Sequence, residues 1–279
     1  MSRAFSEGPL SAINVRAVTT EEIDLFFENG WVKVSGLIDR DTAAMLLNRA
    51  KRAFGEDGRT GLQPLPEDAG YYQSWFRSNT DLEKDEAFEE LSASQELGHN
   101  SARLLGRDSS IRMMIHKFSA KLPDCGDRGK PTDFHQDTPG HMYLEGNFLT
   151  IWIALDEITP DMGALQYYTG SHKLGNLGRS GDLFEQWGPL IDRYCTLTDP
   201  IGMQAGDAVI HMDRTIHGTE ENTGGRVRWS WAGVLVPGDA RYTGASNYFV
   251  DGLGLEPDGP LDHPKFPIIY APPGWKTLV

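Results

Sequence analysis

From Ile111 onward the chain is a succession of short runs rich in β-branched, aromatic and methionine residues, each broken off by glycine or proline. This texture narrows the possible folds more than any other feature. The runs are Ile111 to Phe118, Phe148 to Leu155, Gly163 to Thr169, Gly202 to His211 and Val227 to Val236. Such side chains suit a pleated, half-covered surface, and strands punctuated in this way argue a sandwich or barrel. Ahead of them the chain reads mainly helical. Thr19 stands three residues before Glu22, a capping signal, and Ile23, Phe26 and Phe27 follow at helical spacing until Gly30. Trp31, Val32, Val34 and Leu37 predict a short strand, Asp41 to Phe54 a second helix, and residues 83 to 105 further helix. The expected fold is mainly β with flanking helices.

A length of 279 residues permits one large domain or two, and one is expected. It would comprise a helical part over 1–110, a β core over 111–240 and a C-terminal coil over 241–279. Six prolines between Pro257 and Pro273 make the coil either a wrap on the core or a lid, and the sequence leaves both open. Lysine and arginine number 26 against 40 aspartates and glutamates, a formal charge of -14 that repels polyanions. The expected partner is a small molecule, not nucleic acid or a membrane surface. Cys125 and Cys195 are too few for a disulfide framework and are expected as free thiols in a reducing compartment. Neither a signal-like apolar core nor a stretch approaching the ~20 apolar residues of a membrane span is visible, so the expected location is cytoplasmic.

The chemistry-bearing residues cluster in two places. Phe134-His-Gln-Asp places His135 and Asp137 two apart, and residues so spaced on a strand point to one face, where both can reach a single metal ion. Alone, the triplet can equally be a histidine paired with a carboxylate. His217 follows a further β run, just before the run carrying Arg228, and would supply the third ligand of a facial two-histidine, one-carboxylate site. A guanidinium one strand beyond the last ligand can hold the far carboxylate of a bidentate 2-oxo acid by a charge-assisted fork. Arg226 competes with Arg228 for that task, and His211 competes with His217 as the distal ligand. His99, His116, His172 and His263 read as structural or solvated.

Several further segments join these: Lys121-Leu-Pro, Ile151-Trp-Ile-Ala-Leu-Asp-Glu-Ile-Thr, Gly163-Ala-Leu, Gly170-Ser-His-Lys, Gly206-Asp-Ala-Val-Ile, and His217 with Asn222 and Arg228. With Phe134-His-Gln-Asp they resemble the phytanoyl-CoA dioxygenase family of Fe(II)/2-oxoglutarate-dependent oxygenases over most of the chain, most strongly from Ile111 to Val236. The resemblance implies a double-stranded β-helix, the jelly-roll or cupin-like fold, with Fe(II) held by His135, Asp137 and His217. It also implies that 2-oxoglutarate is held by Arg228, with Thr219 as a hydroxyl donor and Trp152 nearby, and that O2 is the oxidant. The implied reaction oxidises an unactivated C–H bond of a small organic molecule and releases succinate and CO2.

Hydroxylation is favoured because Asp137 occupies the position that related halogenases leave as Gly or Ala. Desaturation, epoxidation and rearrangement stay open. A zinc or manganese cupin-like enzyme and a non-catalytic jelly-roll binding protein are the competing readings, although zinc would leave Arg228 without a role. Departures from the family pattern are Thr169 before Gly-Ser-His and the rings of Trp229 and Trp231 beside Arg228, which either fill the core or stand over the substrate. Tyr72, Gln73, Trp75, Arg77, His141 and Trp231 are candidates to line the substrate pocket, since aromatic and polar groups line ligand clefts.

Overall fold

Thr19 opens the first helix as its sequence signal predicts: its hydroxyl accepts from the Glu22 amide at 3.1 Å, and the Glu22 carboxylate accepts from the Thr19 amide at 2.8 Å. Helix α1 (Thr20–Asn29) ends at Gly30, whose φ of 83° favours glycine. Any Cβ there would lie 2.3 Å from the His172 ring, so a close approach adds to the backbone requirement. The computed structural model describes residues 13–60, 85–123, 130–178 and 183–274.

Strand β1 (Trp31–Val34) and helix α2 (Arg40–Phe54) follow, the helix capped by Asp39, whose carboxylate accepts from the Thr42 amide at 2.6 Å. The helical stretch expected over 83 to 105 is two helices, α3 (Glu86–Ser92) and α4 (Gln95–Leu104). The break falls at Ser94, whose hydroxyl accepts from the Leu97 amide: serine side chains compete for backbone groups and favour caps over helix interiors.

The remaining strands are β2 (Ile111–Lys121), β3 (Thr132–His135), β4 (Leu144–Glu145), β5 (Leu149–Ala154), β6 (Leu165–Thr169), β7 (Thr196–Leu197), β8 (Ala208–Met212), β9 (His217–Thr219), β10 (Arg228–Pro237), β11 (Arg241–Tyr242) and β12 (Ile268–Tyr270). They form a six-stranded sheet in the order β1-β8-β5-β10-β2-β12 and a four-stranded sheet in the order β3-β9-β6-β7, antiparallel throughout. The pair β11-β4 stands beside them. This is the mainly β architecture with flanking helices that the residue pattern predicts, and it agrees with the jelly roll that the family resemblance implies.

Alternation along β10 sets what lies on each side of the large sheet. Trp229, Trp231 and Leu235 join Phe26, Leu46, Phe54, Phe88 and Leu104 of the helices in the largest core cluster. Ala232, on the other face, packs with Trp152 of β5, Val209 of β8, and Leu165 and Tyr167 of β6, filling the space between the sheets. Arg228 and Ser230 share that inner parity. On β2 a register shift opposite Val234 and Leu235 brings Met114 and Ile115 into one cluster, and Lys117, Ser119 and Lys121 then alternate with Phe118 and Ala120.

One helix was not anticipated from the sequence, and one open alternative is decided by the fold. Helix α5 (Leu183–Tyr194) carries Pro189 in its interior, a residue that argues against a helix when read alone. The proline-rich stretch is ordered: Leu261 and Phe266 are fully buried, and β12 hydrogen-bonds to the edge of β2. No helix among the described residues is long and apolar enough to cross a membrane.

Phe118 joins helices to sheet, its ring lying 5.3 Å from Phe54, 6.0 Å from Phe88 and 5.7 Å from Trp229. Phe118→Ala is expected to cost about 3–5 kcal/mol, through lost burial plus the cavity left behind. Urea or guanidinium unfolding, read as a shifted midpoint at unchanged slope, checks this.

Candidate metal centre

Strands β3 and β9 pair so that His135 and His217 are direct partners, which brings two residues distant in sequence to a ring separation of 4.4 Å. The expectation that His135 and Asp137 share one strand face is corrected here. Strand β3 ends at His135, and Asp137 has helical angles (φ -72°, ψ -34°) at the head of a one-turn helix, Thr138–His141. Two amides hold this turn, with Asp137 N and Thr138 N both donating to the Asp213 carbonyl at 2.9 and 3.1 Å. Gln136 faces away from the site: its amide donates to the Gly175 and Arg214 carbonyls and accepts from the Leu177 amide.

Asp137 Oδ1 lies 3.6 Å from His135 Nε2 and 3.8 Å from His217 Nε2, and one ligating atom from each of the three residues falls within 4.8 Å of the others. The donor set fits a metal ion. His135 Nδ1 faces the Asp133 carbonyl at 2.7 Å and His217 Nδ1 the Thr215 carbonyl at 2.9 Å, which places the imidazole protons on Nδ1 and leaves both Nε2 lone pairs for coordination. Burial, reinforced by the neighbouring His211 and His135, holds His217 well below the usual imidazole range, so it stays neutral. Burial alone would raise the Asp137 carboxyl, but the adjacent His217, His135 and His211 imidazoles hold it well below the ordinary carboxylate range. Burial also opposes charge on His135, yet the adjacent Asp137 carboxylate outweighs that and raises its pKa.

A second cluster, which shares only β9 with the first, is built on β10, β2 and β5. Arg228 directly faces Lys121 across the β10–β2 ladder. The guanidinium donates through Nη1 to the Gly163 carbonyl, sits 5.2 Å from the Trp152 ring, and leaves Nε buried without a hydrogen-bond partner. Desolvation lowers its pKa to about 10, so it stays cationic at neutral pH. Lys121 Nζ donates to Thr219 Oγ1 at 2.7 Å and to the Glu220 carbonyl at 2.5 Å. Its pKa falls to about 6, through burial first and Arg228 second. Thr219 follows His217 by two on β9, so the two share a face about 7 Å apart along the strand. The structure thus brings Arg228, Thr219 and Trp152 together. It adds Lys121, which the sequence offered only within the Lys121-Leu-Pro segment.

The rival assignments separate cleanly. Arg226 has a half-exposed side chain paired with Glu157 at 3.2 Å. His211 approaches the far oxygen of Asp137, its Nε2 lying 3.3 Å from Oδ2. His141 hydrogen-bonds Tyr143 at 2.7 Å and packs against Phe148 and Phe249. Trp231 does not line the space between the sheets: its parity on β10 turns it to the helix-facing core, where it is fully buried. Tyr72, Gln73, Trp75 and Arg77 lie outside the described residues, as does Cys125. Cys195 is free, His172 contacts the Phe27 carbonyl, and His99 stacks on Tyr270, as structural roles require.

A family model for phytanoyl-CoA dioxygenase (PhyH) matches residues 26–230. The chain belongs to the phytanoyl-CoA dioxygenase family. A probable alpha-ketoglutarate-dependent hypophosphite dioxygenase of Stutzerimonas stutzeri is 24% identical over 221 residues, which cover 71% of each protein. The non-haem alpha-ketoglutarate-dependent carbocyclase SnoK from nogalamycin biosynthesis is 25% identical, with a TM-score of 0.71 over 94% of this chain and 99% of its own. The epimerase SnoN, solved with Fe3+, alpha ketoglutarate and nogalamycin RO, is 20% identical, with a TM-score of 0.70 over 89% and 97%. This phytanoyl-CoA dioxygenase family member is accordingly a non-haem iron dioxygenase that uses 2-oxoglutarate and O2.

With its pKa raised, His135 accepts a proton on Nε2 more readily than an ordinary imidazole, and a divalent ion competes with that proton. Acid favours the protonated, metal-free form. Mn(II) or Co(II) affinity is therefore expected to fall as pH drops through the raised His135 pKa, above the ordinary value of 6.5, with proton release on binding. Calorimetry in buffers of different ionisation enthalpy checks both signs.

Proposed function

We propose that the protein hydroxylates an unactivated C–H bond of a small organic molecule, with His135, Asp137 and His217 as the iron ligands and Arg228 as the anchor for the far carboxylate of 2-oxoglutarate. The observation that carries this reading is the pairing of the two clusters: three ligating atoms within 4.8 Å, and along the same inter-sheet space a buried guanidinium with an unpartnered Nε. When bound, iron with 2-oxoglutarate and O2 supplies the power to oxidise such a bond, releasing succinate and CO2. The protein's own residues supply position and electrostatics. Neutral His217 and ionised Asp137 are the forms a ferrous ligand needs. Arg228 offers a rigid fork to a carboxylate, and the Trp152 ring limits where that fork can point. The Thr219 hydroxyl and the Lys121 amine stand beside it to complete the anion's donors.

For the substrate, His141 with Phe148, Phe249 and Tyr143 offers aromatic walls, while the charge of Lys117 reaches both His135 and His141. That pairing suits a small molecule with an acidic or carbonyl group on an apolar body. The likeness to SnoK, named as a carbocyclase, supports one alternative outcome, in which C–H oxidation ends in ring closure. Asp137, retained as a carboxylate, argues against halide at the metal.

The deciding experiment supplies Fe(II), 2-oxoglutarate and O2, follows succinate release over a panel of small organic acids and carbonyl compounds, and identifies products by mass. A gain of one oxygen supports hydroxylation, a loss of two hydrogens supports ring closure or desaturation, and an absence of succinate in every case overturns the oxygenase reading. Arg228→Met is expected to raise the 2-oxoglutarate KM by about 30-fold or more, the equivalent of ~2 kcal/mol for truncating one partner of a buried charge pair. Binding an anion beside Lys121 should raise its pKa from about 6, so 2-oxoglutarate should take up a proton on binding and bind more weakly as pH rises above that value. Lys121→Met should remove the proton uptake, read by calorimetry in paired buffers.

A further inference from the structure

Asp137 has two oxygens in different surroundings. Oδ1 faces the two imidazole Nε2 atoms, at 3.6 and 3.8 Å. Oδ2 is turned to the large sheet, where the Thr150 hydroxyl of β5 donates at 2.8 Å and His211 Nε2 of β8 lies at 3.3 Å. An ionised carboxylate only accepts, so the proton between them belongs to His211 Nε2. His211 Nδ1 in turn faces the Tyr167 hydroxyl at 3.0 Å. Burial and the nearby Asp137 push Tyr167 well above the ordinary phenol range, so its hydroxyl keeps a proton to donate. Tyr167 itself is clamped: its ring stacks on Trp31 at 4.9 Å with the planes only 6° apart, and Trp31 Nε1 donates to Thr169 at 2.9 Å. A connected line thus runs from β1 through β6 and β8 to the side of the carboxylate that faces away from the two imidazoles.

We propose that His211, held by Tyr167, is a positioning residue that occupies Asp137 Oδ2 and so restricts Asp137 to one-oxygen coordination of the metal. This rests on the ligand reading above. Its physical point is one of free positions: three facial ligands leave an octahedral ion three sites, enough for a two-point 2-oxo acid and O2, whereas a carboxylate bound through both oxygens would take one of them. Thr150 supplies one donor from a rotatable hydroxyl. His211 supplies the second from a ring with both nitrogens engaged, which fixes the plane of the carboxylate.

The test compares His211→Phe, which keeps a ring and loses the donor, with His211→Gln, which keeps an N–H donor. The readouts are calorimetric Mn(II) affinity and 2-oxoglutarate affinity of the Mn(II)-loaded protein, with thermal unfolding as the folding control. His211→Phe should lower Mn(II) affinity by about 10–100-fold, the range for losing an outer partner of a metal ligand, and weaken 2-oxoglutarate binding to the loaded protein as well. His211→Gln should recover most of both.

Unchanged affinities in His211→Phe overturn the proposal. So does an equal loss in both variants at wild-type melting temperature, because the effect would then not follow the donor. Should His211→Phe fail to fold, Tyr167→Phe removes a single hydroxyl from the line, and unchanged Mn(II) and 2-oxoglutarate affinities there also overturn it. Asp137→Ala in the same assay separates the two readings: wild-type Mn(II) affinity in that variant removes the ligand assignment itself, whereas the His211 proposal fails on its own only when Asp137→Ala has lost the metal.

Discussion

A carboxylate has to stay ionised between two sheets, and much of the local structure can be understood as meeting that demand. A charge withdrawn from water costs several kcal/mol unless it is paired and hydrogen-bonded. Asp137 is met by His135 and His217 on one side and by Thr150 and His211 on the other, while its backbone is pinned by the Asp213 carbonyl. These partners come from β3, β9, β5 and β8, strands of both sheets. No local segment could assemble them, so the site forms only when the two sheets close on each other.

The second cluster obeys a different balance. Like charges placed directly across a ladder destabilise a sheet, yet Lys121 and Arg228 are partners in register. The conflict is eased because Lys121 is neutral over much of the physiological range and because carbonyl oxygens of Gly163 and Glu220 accept from the two side chains. An arriving dianion would relieve it further. Stability given up where a ligand will later bind is a common compromise in active sites.

How much of this the sequence disclosed depends on the range of the signal. The Thr19 cap, the Gly30 stop and the β runs were legible because a cap, a left-handed turn and strand periodicity are all written in neighbouring residues. The proposed iron ligands were legible through spacing and resemblance, although the expected reason, strand alternation from His135 to Asp137, was not the one the fold uses: a backbone turn held by Asp213 brings the carboxylate round. Helix α5 was hidden by its interior Pro189, and the split at Ser94 by packing positions, Phe88, Leu91 and Leu104, that lie on both sides of the cap. Trp231 was misplaced among pocket residues because which face of β10 meets the helices is settled only by tertiary packing. Lys121 could have been suspected from a lysine that shares a strand with the buried Phe118 and Ala120, whereas His211 was noticed only as a rival metal ligand and not as a partner of the carboxylate.

Strand β10 carries Arg228, the proposed cosubstrate anchor, on one side and the indole rings of the helix-facing core on the other. Sliding it by one residue would trade these roles, burying a guanidinium in hydrocarbon and emptying the anchor in the same step, so folding errors and catalytic errors coincide and are eliminated together. Evolution can then rarely retune this enzyme through its ladders. Chemical novelty among proteins built this way would have to enter through the segments that join the strands, where insertions and substitutions leave the shared alignment untouched.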